Sequence, residues 1–184
     1  MKTVFVDVDT QLDFLYPAGA LYVPGAENIV ENITALNRFA GSRSVLISTM
    51  DAHTEDDPTF QTWRPHCVAG TWGQRKPAAT LLDKRVRVPN AVGAYGSIDS
   101  AAQILLEKQE NDCFSNMHLA ELLAELNAER YVVYGVVTEI CVKCAVDGLL
   151  KTGKRVELVT DAVHSLNDRA AQDMFNGFKK RAAF

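Results

Sequence analysis

Tyr131-Val132-Val133-Tyr134-Gly135-Val136-Val137 carries no charged residue and runs directly into Thr138-Glu139-Ile140-Cys141. A short apolar run rich in β-branched residues reads as a strand of a parallel sheet that is buried on both faces. The residues after it read as a helix from about Glu139 to Lys151, with Gly153 placed as a left-handed cap. Outward from this unit the same alternation repeats. Thr3 to Val8 reads as a first strand, and Ile29, Ile33 and Leu36 then recur on one helical face between Gly25 and Gly41. Ser44 to Thr49 reads as a second strand and Ile104 to Glu107 as a third, followed by a helix from about Met117 to Ala128 with Leu119, Leu122, Leu123 and Leu126 as its apolar stripe. Arg155 to Val159 reads as a further strand ended by Asp161, and Arg169 to Lys180 as a closing surface helix. This order predicts an α/β fold with a mainly parallel sheet of about five to six strands.

Of the 184 residues 47% are hydrophobic and 23% charged, the balance of a globular chain, and one domain over 1–184 is expected. Lys and Arg number 19 against 23 Asp and Glu, a net charge of -4 with no long block of one sign. That argues against nucleic acid or an anionic membrane as partner. The opening Met1-Lys2-Thr3-Val4-Phe5-Val6-Asp7 places charge among its first apolar residues, unlike a signal peptide. No apolar run approaches the roughly 18 residues of a membrane span. A cytoplasmic, reducing location is therefore expected, where Cys67, Cys113, Cys141 and Cys144 are thiols rather than bridges.

All six prolines fall between Pro17 and Pro89, and the stretch from Met50 to Ser100 is too long for an ordinary connection, which points to function. Residues 77–100 also read as a surface excursion with a small hairpin at Val86 to Val92. In parallel sheets the ligand site lies beyond the carboxyl ends of the strands. Those ends carry Asp9, then Asp51 and His53, then Lys108, then Cys141. Cys141 sits near a helix N-terminus, where unpaired amides and the helix dipole favour a thiolate and can hold an oxyanion. Taken alone it is as well read as a packing cysteine, and Asp9 and Lys108 as a strand cap and a solvated charge. Cys141 and Cys144 also form a C-x-x-C pattern, which keeps a thiol oxidoreductase as a rival. Asp51, His53 and His66 are donors suited to zinc, iron or manganese, or else hydrogen-bonded loop residues. Thr59, Glu55, Asp56 and Asp57 read as loop-solvating, and His118 and His164 as surface residues without partners.

The motifs resemble those of the isochorismatase-like cysteine hydrolases, and among them the nicotinamidase branch. The matching stretches are Asp9-Thr10-Gln11-Leu12-Asp13-Phe14, Asp51-Ala52-His53, Trp63-Arg64-Pro65-His66-Cys67-Val68-Ala69-Gly70-Thr71, Lys108 ahead of Phe114-Ser115-Asn116, and Gly135-Val136-Val137-Thr138-Glu139-Ile140-Cys141-Val142. The resemblance implies a Rossmann-like three-layer α/β/α fold, an Asp9, Lys108, Cys141 triad, and a cis peptide between Val136 and Val137. It places the amides of Val137 and Cys141 as an oxyanion hole. It implies two-step acyl transfer through a thioester with ammonia released, and one divalent metal ion, zinc before iron or manganese, on Asp51, His53 and His66. Phe14 and Trp63 would wall a substrate pocket in which the ion and its waters hold the ring nitrogen of the substrate.

The family reading departs at Thr59, where some relatives carry a further histidine ligand, and at Gln74 to Ala101, which matches nothing and could form a lid or a subunit contact. The expected partner is a small amide, nicotinamide first and an N-carbamoyl compound or maleamate-like acid second, with a metal-binding module lacking turnover as a further alternative. A homo-oligomer is a family-level expectation, with Phe175, Phe178 and Phe184 available to an interface as readily as to the core.

Overall fold

The computed structural model describes residues 1–182. Six strands form one sheet: β1 (Thr3–Val8), β2 (Val45–Asp51), β3 (Arg85–Val88), β4 (Gln103–Lys108), β5 (Arg130–Val136) and β6 (Arg155–His164). Their order is β3-β4-β2-β1-β5-β6, and every pairing is parallel. The helices are α1 (Leu12–Leu15), α2 (Val30–Arg43), α3 (Leu119–Leu126), α4 (Lys143–Leu150) and α5 (Asp168–Ala182). From β1 the chain crosses through α2 to β2 on one side, and from β5 through α4 to β6 on the other. Right-handed crossovers in opposite directions put these helices on opposite faces of the sheet. All six residues of β1 are buried, which is why its sequence lacks the polar alternation of a one-sided strand.

The direction of winding reverses at β1, flanked by β2 and β5, so the crevice beyond its carboxyl end is where a ligand belongs. Gly135 is required at this point. Its φ is +119°, and a Cβ there would lie 2.1 Å from the Val8 carbonyl oxygen of the neighbouring strand.

Three sequence expectations are corrected. Val86 to Val92 is no hairpin: Arg85–Val88 is a parallel edge strand beside β4. Asp161 does not end the sixth strand, which continues to His164 after a register shift against β5. The helix after β5 opens as a π-helical turn over Thr138–Val142 before α4 begins. Phe175 and Phe178 are partly buried against the core, whereas Phe184 lies outside the described residues. Among the described residues no helix is long and apolar enough to cross a membrane.

A buried polar network ties the segment after Gln74 to the sheet. The Asp7 carboxylate, on β1, accepts from Thr10 Oγ1 at 2.6 Å and Ser48 Oγ at 3.0 Å, and from Asn37 Nδ2 and Lys76 Nζ, each at 3.3 Å. Asn37 in turn donates to the Thr80 carbonyl and accepts from Tyr134. Gln103 on β4 donates to Ser48 Oγ and accepts from the Leu82 amide. Lys76 and Asp7 are both buried, so removing either leaves an uncompensated charge. Lys76→Met is expected to cost about 3–5 kcal/mol of unfolding free energy by urea titration; a loss below about 1 kcal/mol would show that the pair does not anchor this segment.

Candidate active site

Asp9 follows β1 directly, in a left-handed conformation at φ +51° that its hydrogen bonds hold. Its amide donates to the Thr49 carbonyl at 3.2 Å, and Thr49 Oγ1 donates to its Oδ1 at 2.6 Å. Asp51 and Lys108 end β2 and β4 as register partners, so their side chains emerge side by side. Lys108 is fully buried, and its ammonium donates to Asp51 Oδ1 at 2.5 Å and to the Glu110 carbonyl at 2.9 Å, with Asp9 Oδ2 also at 2.9 Å. Burial alone would lower the Lys108 pKa, but Asp51 and Asp9 outweigh it and hold the amine well above its ordinary value. Gln11 clamps the strand end from behind, donating to the Asp51 carbonyl and accepting from the Asp51 amide.

Cys141 lies in the π-helical turn, buried close enough to Asp9, Asp51 and Lys108 for their charges to act on its thiol. The expectation that a helix N-terminus favours the thiolate is corrected. Burial pushes the thiol well above its ordinary pKa, and the carboxylates of Asp9 and Asp51 add to this against the opposing Lys108. Burial likewise raises Asp9, again against Lys108. A protonated thiol therefore faces a carboxylate made more basic than usual, an arrangement suited to proton transfer between the two. The peptide between Val136 and Val137 is cis.

The other Asp51 oxygen, Oδ2, points toward His53 Nε2 at 3.7 Å and His66 Nε2 at 3.6 Å. The three candidate ligand atoms lie within 4.8 Å of one another. His53 Nδ1 donates to Asp57 Oδ2 at 2.9 Å, and His66 Nδ1 donates to the Arg64 carbonyl at 2.6 Å. Both rings are thereby turned so that their Nε2 atoms face the same point, and His53 Nε2 is buried without a hydrogen-bond partner. Burial favours a neutral His53 ring, but Asp51 and Asp57 outweigh it and raise its pKa. The site thus draws positive charge to this point, which a divalent cation would supply. Asp57, read from sequence as loop-solvating, orients the His53 ring instead; its place four residues after His53 was the available signal.

A pocket open to solvent lies against both clusters, touching Cys141 of one and Asp51, His53 and His66 of the other. Phe14, Leu21, Val23, Trp63 and Ile140 form apolar walls, with Asp51, His53, Thr59 and His66 on one side and Cys141 and Val137 on another. The structure thus brings together the candidate nucleophile, its candidate acid and lysine, the three candidate metal donors and both aromatic residues. Residues 109–111 also line the cavity, with Asn111 Oδ1 4.0 Å from Cys141 Sγ, and so does Leu166; sequence reading missed all of these. Asp13 was missed as well: its carboxylate accepts from the Cys67 amide at 2.7 Å and the Ala20 amide at 2.8 Å, pinning the loop that carries His66. No residue between 75 and 101 lines the cavity. His118 and His164 are not partnerless, since their Nε2 atoms bond the carbonyls of Ala91 and Pro24.

The chain is 25% identical over 197 residues to a nicotinamidase of Escherichia coli (strain K12), covering 96% of this chain and 89% of that one. Among solved structures it resembles the pyrazinamidase of Pyrococcus horikoshii in complex with zinc, at a TM-score of 0.80 and 25% identity over 99% of this chain and 97% of that one. It also resembles the N-carbamoylsarcosine amidase of Thermoplasma acidophilum, at a TM-score of 0.76 and 25% identity over 96% and 92%. The isochorismatase domain family matches residues 96–184. That match takes in just under half of the chain and covers Lys108 and Cys141, whereas Asp9, Asp51, His53 and His66 precede it.

Loss of the Asp57 carboxylate frees the His53 ring to turn. Asp57→Ala is expected to weaken binding of added zinc by about 10- to 100-fold in equilibrium dialysis; unchanged affinity would remove Asp57 from the site.

Proposed function

We propose that this amide hydrolase is a metal-assisted cysteine amidohydrolase converting nicotinamide and water to nicotinate and ammonia. The observation that carries this reading is the cavity itself. A thiol backed by Asp9 and Lys108 and a three-donor metal triad open into one aromatic-walled space that no lysine or arginine lines. A neutral aromatic amide suits such a space. An N-carbamoyl amino acid or a maleamate-like acid, the alternative favoured by likeness to the Thermoplasma amidase, would bring a carboxylate with no cationic side chain to meet it.

Asp51, His53 and His66 would hold the ion, zinc before iron or manganese. Bound there, it would supply a Lewis acid able to hold water or a neutral nitrogen donor. Asp9 takes the proton of Cys141, and the sulfur attacks the amide carbonyl carbon. The amides of Val137 and Cys141 receive the oxyanion. The C–N bond breaks, and ammonia leaves with the proton held by Asp9, giving a thioester. Asp9 then takes a proton from water, whose oxygen attacks the thioester; the S–C bond breaks and the proton returns to sulfur. Lys108 remains protonated throughout, holding Asp9 and Asp51 in place.

Ammonia release from nicotinamide, pyrazinamide and a panel of N-carbamoyl amino acids tests the reading, with the neutral ring amides expected to lead. Cys141→Ala is expected to abolish release while bound metal, measured by elemental analysis, stays intact; continued release would remove the nucleophile assignment. Cys144→Ser is expected to be mild, whereas a redox dithiol would make it as damaging as loss of Cys141.

The unprotonated form of Asp9 is the active one, so kcat/KM falls as pH drops through its raised pKa. The acid limb is therefore expected above the ordinary aspartate value of about 3.9. A limb at or below that value in a pH–rate profile would contradict the role.

A further inference from the structure

The segment between β6 and α5 borders the cavity through Leu166. Leu166 within it is 46% exposed yet lines the cavity, so its side chain borders the space without joining the core. The segment is tied down at both ends. At one end His164 Nε2 bonds the Pro24 carbonyl at 2.8 Å, next to Val23 of the facing wall. At the other, Glu139 Oε1 accepts from the Leu166 amide at 3.0 Å and the Asn167 amide at 2.7 Å. Glu139 lies two residues before Cys141, in the same π-helical turn, so the carboxylate that holds the strap belongs to the element that carries the thiol. Asn167 Oδ1 accepts from the Ala170 amide, and Ser165 Oγ donates to Asp168 Oδ1, joining the strap to the start of α5.

We infer that Leu166 is the specificity-determining residue at the mouth, setting how large a ring reaches Cys141, and that Glu139 is the positioning residue that holds it there. Because the strap is anchored on both sides, the limit is set by the size of the side chain and not by a closing motion. The inference rests on the proposed function only for its substrate arm, since access to the thiol can be read without any substrate.

The test compares alkylation of Cys141 by iodoacetamide and by the bulky N-(1-pyrenyl)maleimide in the full-length protein, quantified on the Cys141 peptide by mass spectrometry so that Cys144 does not contribute. In Leu166→Ala the ratio of bulky to small reagent rates is expected to rise about tenfold, and in Leu166→Trp to fall by a similar factor. Glu139→Ala is expected to move the ratio in the same direction as Leu166→Ala, as the strap loses its two hydrogen bonds. Ratios within twofold of the parent protein in both Leu166 variants would overturn the assignment. A shift in Leu166→Ala without one in Glu139→Ala would overturn the role of Glu139. In the substrate arm, Leu166→Ala is expected to favour quinoline-3-carboxamide over nicotinamide relative to the parent. Failure of every variant and the parent to release ammonia from either amide, with the alkylation ratios shifted, would reject the proposed function and leave the mouth residue standing.

Discussion

The ammonium of Lys108, buried between the carboxylates of Asp9 and Asp51, is the interaction on which this site is built. Bringing two carboxylates to the ends of adjacent strands β1 and β2 without a cation would force one of them to take a proton. Lysine from β4 removes that conflict. It also donates to the Glu110 carbonyl, so its charge faces two carboxylates and a backbone oxygen. Such a buried triad is costly to assemble and costlier to break, and here Asp51 keeps one oxygen for another task. The Asp9 charge acts on the Cys141 thiol, while Asp51 turns Oδ2 to the histidines. One buried amine therefore fixes both the thiol-bearing side and the histidine-bearing side of the site.

The long connection after β2 divides its work between these ends. Its first part supplies His53, Asp57, Trp63 and His66 to the cavity. Its second part, from Lys76 to Val88, belongs to the scaffold: Lys76 neutralises Asp7, Thr80 and Leu82 meet Asn37 and Gln103, and Arg85–Val88 completes the sheet edge. The segment that matched nothing in the family pattern is thereby a fold element, and the wall over the mouth comes instead from the far end of the chain, at Leu166.

Legibility in the sequence followed burial. β1 and β5 are covered on both faces and read as apolar runs to within a residue of their ends. β3 has two exposed arginines and lies at one edge, and β6 carries Glu157, Thr160 and Asp161 along the other; edge strands keep one side in water and so lose the pattern. The candidate site residues at strand ends were legible because a parallel sheet aligns all its carboxyl ends. Asp57, Asn111, Leu166 and the Asp13 pin were not, since each acts through a contact whose partner is remote in sequence or is a backbone group.

By itself the sequence determined the order of the strands and helices other than the edge strand β3, and with it the edge of the sheet at which Asp9, Asp51, Lys108 and Cys141 had to appear, because hydrophobic periodicity and chain direction are local properties. Which oxygen of Asp51 faces the lysine and which the histidines, the raised pKa of the thiol and the strap held by Glu139 were decided only by the tertiary structure. These depend on strand register, on desolvation and on hydrogen bonds closed between distant segments, none of which exists until the chain is packed.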